Sequence, residues 1–237
     1  MYNRIFLLLL TLALLIAPLS SCGKVRAANA TDANEQKETA FLDTLSFLGD
    51  STTAHMQQRS DIPAERIFAA RERYLNLDSR ITYAKIVAPD TGAEETIAEV
   101  MARIRPPRLV ITLGADYGVY YYRDKPETFR LYYEKLLDVI HKASPDTTLI
   151  LQSVFPVARS CRVLTNEMID RANAVIQEIA VDRGLLFVDQ KPTLSDSEGY
   201  LKPEYCYSED GIHLSKSAYD CILAHLSTLE GKIGGTT

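Results

Sequence analysis

Cysteine and basic charge are both scarce in this 237-residue chain, internal repetition is absent, and no apolar stretch is long enough to cross a bilayer comfortably. The four cysteines, at positions 22, 161, 206 and 221, lack the paired spacing of a zinc site. Lys and Arg number 26 against 31 Asp and Glu, a net charge of -5, which argues against nucleic acid as a partner. Without repeats or a break in composition beyond residue 40, the chain reads as one domain rather than a solenoid or an array. The apolar run from Ile5 to Pro18 is shorter than a comfortable span.

That run has a different use. Arg4 supplies a positive start and Ile5 to Pro18 an apolar core, the layout of an export signal over residues 1–21. Its end, Leu19-Ser20-Ser21-Cys22, resembles the lipobox of bacterial lipoproteins, which implies a lipid on Cys22. Each buried CH₂ of such a lipid contributes about 0.8 kcal/mol, enough with two or three chains to hold the protein on a membrane. Cleavage after Val25-Arg26-Ala27 is the alternative and would release a secreted protein. Either way the chain is extracytoplasmic. Residues 22–40 are polar and aperiodic and read as a tether, 41–231 as the folded domain, and 232–237 as a tail. Removing residues 1–21 takes away one Arg and no acid, leaving 25 basic against 31 acidic residues, or -6.

The informative stretch is Thr44 to Thr53, where Leu45, Phe47 and Leu48 break into Gly49-Asp50-Ser51. An apolar run ending in Gly reads as a buried strand meeting a sharp turn, and Ser51-Thr52-Thr53-Ala54 as the start of a helix. A hydroxyl there lies at a sheet edge beside unpaired helix-start N–H groups, so attack and oxyanion stabilisation share one place. Ser51 is therefore either a nucleophile or a helix cap.

Beyond it the pattern alternates. A short helix over 52–59 is followed by a poorly patterned region, 65–86, expected to hold one short strand. Then come a helix from Glu94 carrying Ile97, Val100, Met101 and Ile104, a strand over 108–113, a helix from Pro126, a strand over 148–154, a helix from Thr165 to Gly184, a strand over 185–188, and a last helix capped by Ser215. Alternating strands and helices predict right-handed βαβ units: a three-layer α/β/α sandwich around a parallel sheet of about five strands. Ligands in such folds bind beyond the carboxyl ends of the strands. Before the last helix, Asp210-Gly211-Ile212-His213 can place a carboxylate against an imidazole. Alone, it is equally a turn and a surface histidine.

The Gly-Asp-Ser elbow, the alternation, and Asp-Gly-Ile-His-Leu before the last helix together resemble the SGNH/GDSL hydrolases, from about Thr44 to Leu229. The resemblance implies a flavodoxin-like topology, with Ser51 as nucleophile, His213 as general base and Asp210 as its orienting acid, acting on esters without metal or cofactor. It also implies oxyanion donors from a Gly after the second strand and an Asn after the third. No Gly stands between Arg59 and Asp90, so a backbone N–H such as that of Ser79 would have to serve. Leu113-Gly114-Ala115-Asp116-Tyr117 presents Asp116 where the Asn belongs. A carboxylate only accepts, and losing one donor costs about 2.7–4 kcal/mol of transition-state stabilisation. Asp116 is then protonated, or turned away with a tyrosine such as Tyr117 or Tyr120 donating instead, or a weakness of the enzyme.

Tyrosines 117, 120, 121 and 122, and 200, 205 and 207, fall in these loops and either form a sugar-binding rim or pack the sheet edge. His55, one turn beyond Ser51, is placed to line the pocket, whereas His141 and His225 sit late in helices where cations suit the dipole. Cys161 and Cys206 are expected to pair in an oxidising compartment, with Cys221 buried. The sum is a monomeric, membrane-tethered esterase or O-deacylase acting on an acylated carbohydrate or similar small ester. A glycan-binding degenerate hydrolase and an O-acyltransferase are the alternatives.

Overall fold

Five strands buried on both faces organise the computed structural model, which describes residues 37–233. They are β1 (Leu45–Gly49), β2 (Ile67–Phe68), β5 (Arg108–Thr112), β6 (Thr148–Gln152) and β7 (Leu186–Val188), all parallel, in the order β2-β1-β5-β6-β7. The register of β1 on β5 runs from Leu45 opposite Arg108 to Gly49 opposite Thr112. Strand residues alternate between two apolar layers, as the two-residue period requires. Leu48, Leu109, Ile111, Leu149 and Leu151 face one layer; Leu45, Phe47, Val110, Ile150 and Val188 face the other.

Helices α2 (Ile97–Ile104), α3 (Pro126–Ala143) and α4 (Asn166–Arg183) cover the first layer through Val100, Met101, Phe129, Tyr133, Leu136, Ile169, Ile176 and Ile179. Helices α1 (Ser51–Arg59) and α6 (Lys216–Ser227) cover the second through Met56, Tyr219, Ile222 and Leu226. Two single-turn helices, α5 (Lys191–Leu194) and α7 (Glu230–Ile233), complete the set. The result is a three-layer α/β/α sandwich. Local signals mark the helix ends: Thr96 and Glu99 form a capping box, Pro126 occupies the first turn of α3, Thr165 accepts from Met168 N–H, and Gly184 ends α4 with φ 65°. Ser215 stands at the start of α6, but its hydroxyl donates to the Glu204 carbonyl rather than capping.

Several boundaries differ from the sequence reading. Between 65 and 96 there is more than one short strand: besides β2, β3 (Lys85–Val87) and β4 (Glu94–Thr96) make an antiparallel pair outside the main sheet. Thr96 therefore closes a strand and caps α2, which starts at Ile97. Residues 38–42 are helical and Phe41 is buried in the second layer, so the ordered domain reaches into the expected tether, while α7 runs into the expected tail. The signal segment 1–21, Cys22 and the rest of the tether lie outside the described residues. Among the described residues no helix is long and apolar enough to cross a membrane.

One buried carboxylate joins the loops at the sheet's carboxyl edge. Asp50, 1% exposed, accepts from the N–H (3.3 Å) and hydroxyl (3.0 Å) of Thr52 at the start of α1. Its other oxygen accepts the N–H groups of Gly114 (3.0 Å), Ala115 (2.9 Å) and Asp116 (3.4 Å) in the loop after β5. This approach needs Gly49, where a Cβ would come within 2.1 Å of the Thr112 carbonyl oxygen. Asp50→Asn keeps the shape but turns an NH₂ toward N–H donors. It should lower stability by about 2–3 kcal/mol, or about 5–10 °C in Tm for a domain of this size. Thermal unfolding followed by circular dichroism measures this, and an unchanged Tm would mean that these N–H groups are satisfied without the carboxylate.

Candidate active site

Ser51 is the first residue of α1, 3% exposed, at the end of the second-innermost strand of the order above. Its Oγ lies 3.2 Å from His213 Nε2, and His213 Nδ1 lies 2.6 Å from Asp210 Oδ2. The other Asp210 oxygen accepts the N–H groups of Ile212 (2.7 Å) and His213 (3.1 Å), so the same carboxylate shapes the turn and aims the ring. Burial works against its ionisation, but these N–H groups and the His213 ring hold Asp210 well below the usual carboxylate range. An ionised Asp210 accepts from Nδ1–H and leaves the Nε2 lone pair toward Ser51. The turn is seated by Gly211, at φ 73°, where a Cβ would stand 2.8 Å from both Cys161 N and Ser160 Oγ. Three residues separated by up to 162 positions are thereby brought into one hydrogen-bonded row.

Asp116 joins the same row from the other side. Its Oδ2 accepts Ser51 N–H at 2.8 Å and its Oδ1 accepts Ser51 Oγ–H at 2.6 Å. It has neither turned away nor placed itself as an oxyanion donor; as a carboxylate it occupies the donor N–H that an oxyanion would use. Ser51 has a single hydroxyl proton and two acceptors, Asp116 Oδ1 and His213 Nε2. Burial first, then the charge of Asp50, pushes the Asp116 carboxyl up to about 7, against the opposing pull of the Ser51 donors and His213. Burial raises Asp50 as well, but five donors around it favour its charged form, so of this pair Asp116 is the better holder of a proton.

The other expected oxyanion donors are elsewhere. Gly114 N–H is committed to Asp50. Ser79 is exposed in a turn closed by Arg80 N–H on Asp78, and no hydrogen bond joins it to Ser51, Asp116 or His213. Tyr117 stacks on Tyr121 with centroids 4.0 Å apart, and Tyr120 meets Tyr121 edge to face. Neither Tyr117 nor Tyr120 is hydrogen-bonded to Ser51, so these rings form a half-exposed aromatic rim. The expected disulfide is absent: Cys161, Cys206 and Cys221 are free thiols. Cys161 packs against the first apolar layer and receives Leu164 N–H, whereas Cys206 packs against the second and donates to the Ser208 carbonyl. Cys221 is half-buried and bonded to the Tyr205 hydroxyl rather than purely apolar.

His55 does line the site, with its ring edge to face with that of His213 at 4.4 Å. Two arginines that no motif signalled flank it. Arg73 Nη1 lies 3.1 Å from His55 Nε2, and Arg59 lies over the Tyr207 ring at 3.2 Å while donating to the Leu214 carbonyl. Burial, then the charges of His213, Arg59 and Arg73, push the His55 pKa down to about 4. Among the described residues no group of three or more His, Cys, Asp or Glu side chains is placed to hold a metal ion.

Comparison with known proteins accords with this geometry. The model of the GDSL-like lipase/acylhydrolase family matches residues 47–221. No curated protein matches the chain significantly. Among solved structures, a Streptococcus pneumonia protein provisionally described as a platelet activating factor superposes with a TM-score of 0.53 at 16% identity, covering 86% of this chain and 96% of its own. An active-site mutant of a family two carbohydrate esterase from Clostridium thermocellum gives 0.51 at 14% identity, covering 81% of this chain and 64% of its own.

Replacing Asp116 by Asn removes the charge but keeps the shape. The amide oxygen can accept Ser51 N–H while its NH₂ donates to Oγ, returning the hydroxyl proton to His213. Asp116→Asn should raise kcat for an aryl ester at pH 8 by about one to two orders of magnitude and remove the fall in wild-type rate as pH rises through about 7. Stability supplies a second readout. Because the folded pKa lies above the unfolded 3.8, this group's contribution to stability is full below about pH 4 and is lost as pH rises to about 7. The Tm of the variant should therefore gain on wild type over that interval. A rate that is unchanged or abolished would show that Asp116 does not compete with the oxyanion.

Proposed function

The chain belongs to the GDSL-like lipase/acylhydrolase family, an ester-hydrolysing family, and from that premise we propose that it is a serine esterase acting through Ser51, His213 and Asp210. The observation that carries the proposal is the continuous row Asp210–His213–Ser51 at a strand-to-helix elbow. Ser51 Oγ adds to the ester carbonyl carbon while His213 Nε2 takes the hydroxyl proton. Asp210 keeps the ring oriented and stabilises the imidazolium. The alcohol departs with that proton, leaving an acyl-Ser51; His213 then takes a proton from a water that attacks the acyl carbon, and returns it to Ser51 Oγ as the acyl–Oγ bond breaks and the acid leaves. Ser51 N–H is the donor best placed for the oxyanion, available once Asp116 yields it.

The substrate we infer is an acylated carbohydrate or a similar small ester. The aromatic rim of Tyr117, Tyr120 and Tyr121 supports a sugar face, and the Clostridium thermocellum structure is that of a carbohydrate esterase. One observation favours a second reading, a site that holds such a ligand without turnover: the Asp116 carboxylate sits on Ser51 N–H and Oγ. The proposed setting is extracytoplasmic, with a monomer held to a membrane by lipid on Cys22, read from Leu19-Ser20-Ser21-Cys22.

A fluorophosphonate probe should label Ser51, and short-chain aryl acetates should be hydrolysed slowly. Ser51→Ala and His213→Ala should each cut kcat by at least about 10³-fold, and the double variant should be scarcely worse, because members of one catalytic unit fail together. Labelling absent from a folded wild-type protein favours the non-turnover reading, and turnover surviving Ser51→Ala ends the assignment. In cells, Cys22→Ser should move the protein from the membrane to the soluble fraction; an unchanged distribution would remove the lipid anchor.

A further inference from the structure

Arg73 combines features that a solvent-facing arginine has no reason to combine. Its backbone is left-handed, at φ 65°, in a turn closed by its own N–H on the Ala70 carbonyl. That conformation is unfavourable for a residue with a Cβ and persists where the surroundings impose it. The other described non-glycine residue with positive φ, Arg105, has an ordinary cause: it ends α2. Arg73 instead extends from an exposed turn to His55 Nε2. A guanidinium only donates, so Nε2 accepts and the His55 proton resides on Nδ1, which is buried without a partner in a residue 8% exposed. His55 lies one helical turn from Ser51 and against the His213 ring.

Charge completes the pattern. Among the described residues no carboxylate lies within ion-pair distance of Arg73 or of Arg59; Arg105, Arg108, Arg162 and Arg171 share that lack, but Arg59 and Arg73 combine it with a place beside His55. In a chain of net charge -5, two arginines without acidic partners flank one histidine beside the nucleophile. Arg73 commits one N–H to His55, which leaves the rest of its planar fork for a carboxylate or phosphate. Arg59, fixed over Tyr207 and on Leu214 O, supplies a second charge from the other end of α1.

We infer that the ester taken by this site carries an oxyanion group, a carboxylate or a phosphate, bound by the exposed Arg73 with Arg59 as a second positive charge near His55. This deepens the esterase reading and rests on it. His55 acts as the positioning residue: neutral, it accepts from Arg73 and holds the fork toward the site.

The test uses three probes of one shape: neutral 4-acetoxybenzamide, 4-acetoxybenzoate and 4-acetoxyphenyl phosphate. Calorimetry with the Ser51→Ala protein reads binding without turnover. At least one anion should bind at least about tenfold more tightly than the amide, with the tighter anion identifying the headgroup, and the preference should shrink as salt rises from about 0.02 M to about 0.5 M. Adding Arg73→Gly, which suits the left-handed backbone and spares the fold, should reduce the preference about tenfold; Arg73→Lys, with charge but no fork, should retain part of it. In the enzyme with Ser51 intact, the kcat/KM ratio of anionic to neutral ester should follow the same order. Equal binding of all three probes, or a preference that survives Arg73→Gly, overturns the inference. Failure of a fluorophosphonate to label Ser51, with the calorimetric preference intact, would remove the esterase reading but leave the anion site.

Discussion

The site depends on a single buried carboxylate that does no chemistry. Asp50 satisfies the start of α1 on one side and three successive N–H groups of the loop after β5 on the other, and those two segments carry Ser51 and Asp116. A buried acceptor with five donors is electrostatically strong because the surroundings are of low dielectric. The same property makes it hard to alter: an amide of the same shape presents donors to donors. From the opposite side, the Tyr219 hydroxyl donates to the Thr52 carbonyl at 2.6 Å and binds α1 to α6, the helix that follows the His213 loop. Ser51 and the loop of His213 are thus positioned by groups outside the Asp210–His213–Ser51 row.

On that frame, the proton inventory around Ser51 becomes the controlling variable. Asp116 and His213 compete for one hydroxyl proton. With Asp116 protonated, its carboxyl becomes a donor beside Ser51 and leaves the hydroxyl proton to His213; with Asp116 ionised, its carboxylate holds both the Ser51 N–H and the hydroxyl proton.

The electrostatics of the site are lopsided. Asp50 and Asp116 lie on the side of the β5 loop, whereas Arg59 and Arg73 lie on the side of the second half of α1, with Ser51 and His55 between. The aromatic rim beyond Asp116 adds surface contact without adding charge.

Much of this was legible from residues 44–53 and 209–215 because each motif is local: an apolar strand, a glycine at a close approach, a cap, and a carboxylate three residues before an imidazole on one turn. The strand and helix alternation, hence the three layers, followed from periodicities of two and 3.6 that a linear reading detects. The sequence alone determined which residue types would meet at the sheet edge and that Asp116 would stand among them. Only the tertiary structure decided what Asp116 does there, since its two oxygens meet groups 65 positions away. The same holds for the dual attachment of Asp50, for Cys161 and Cys206 packing in different apolar layers, and for Arg73 at His55, whose left-handed backbone leaves no trace in the residue type. These are contacts between segments remote in the chain, set by how loops fall once the sheet is assembled, and no spacing along the sequence encodes them.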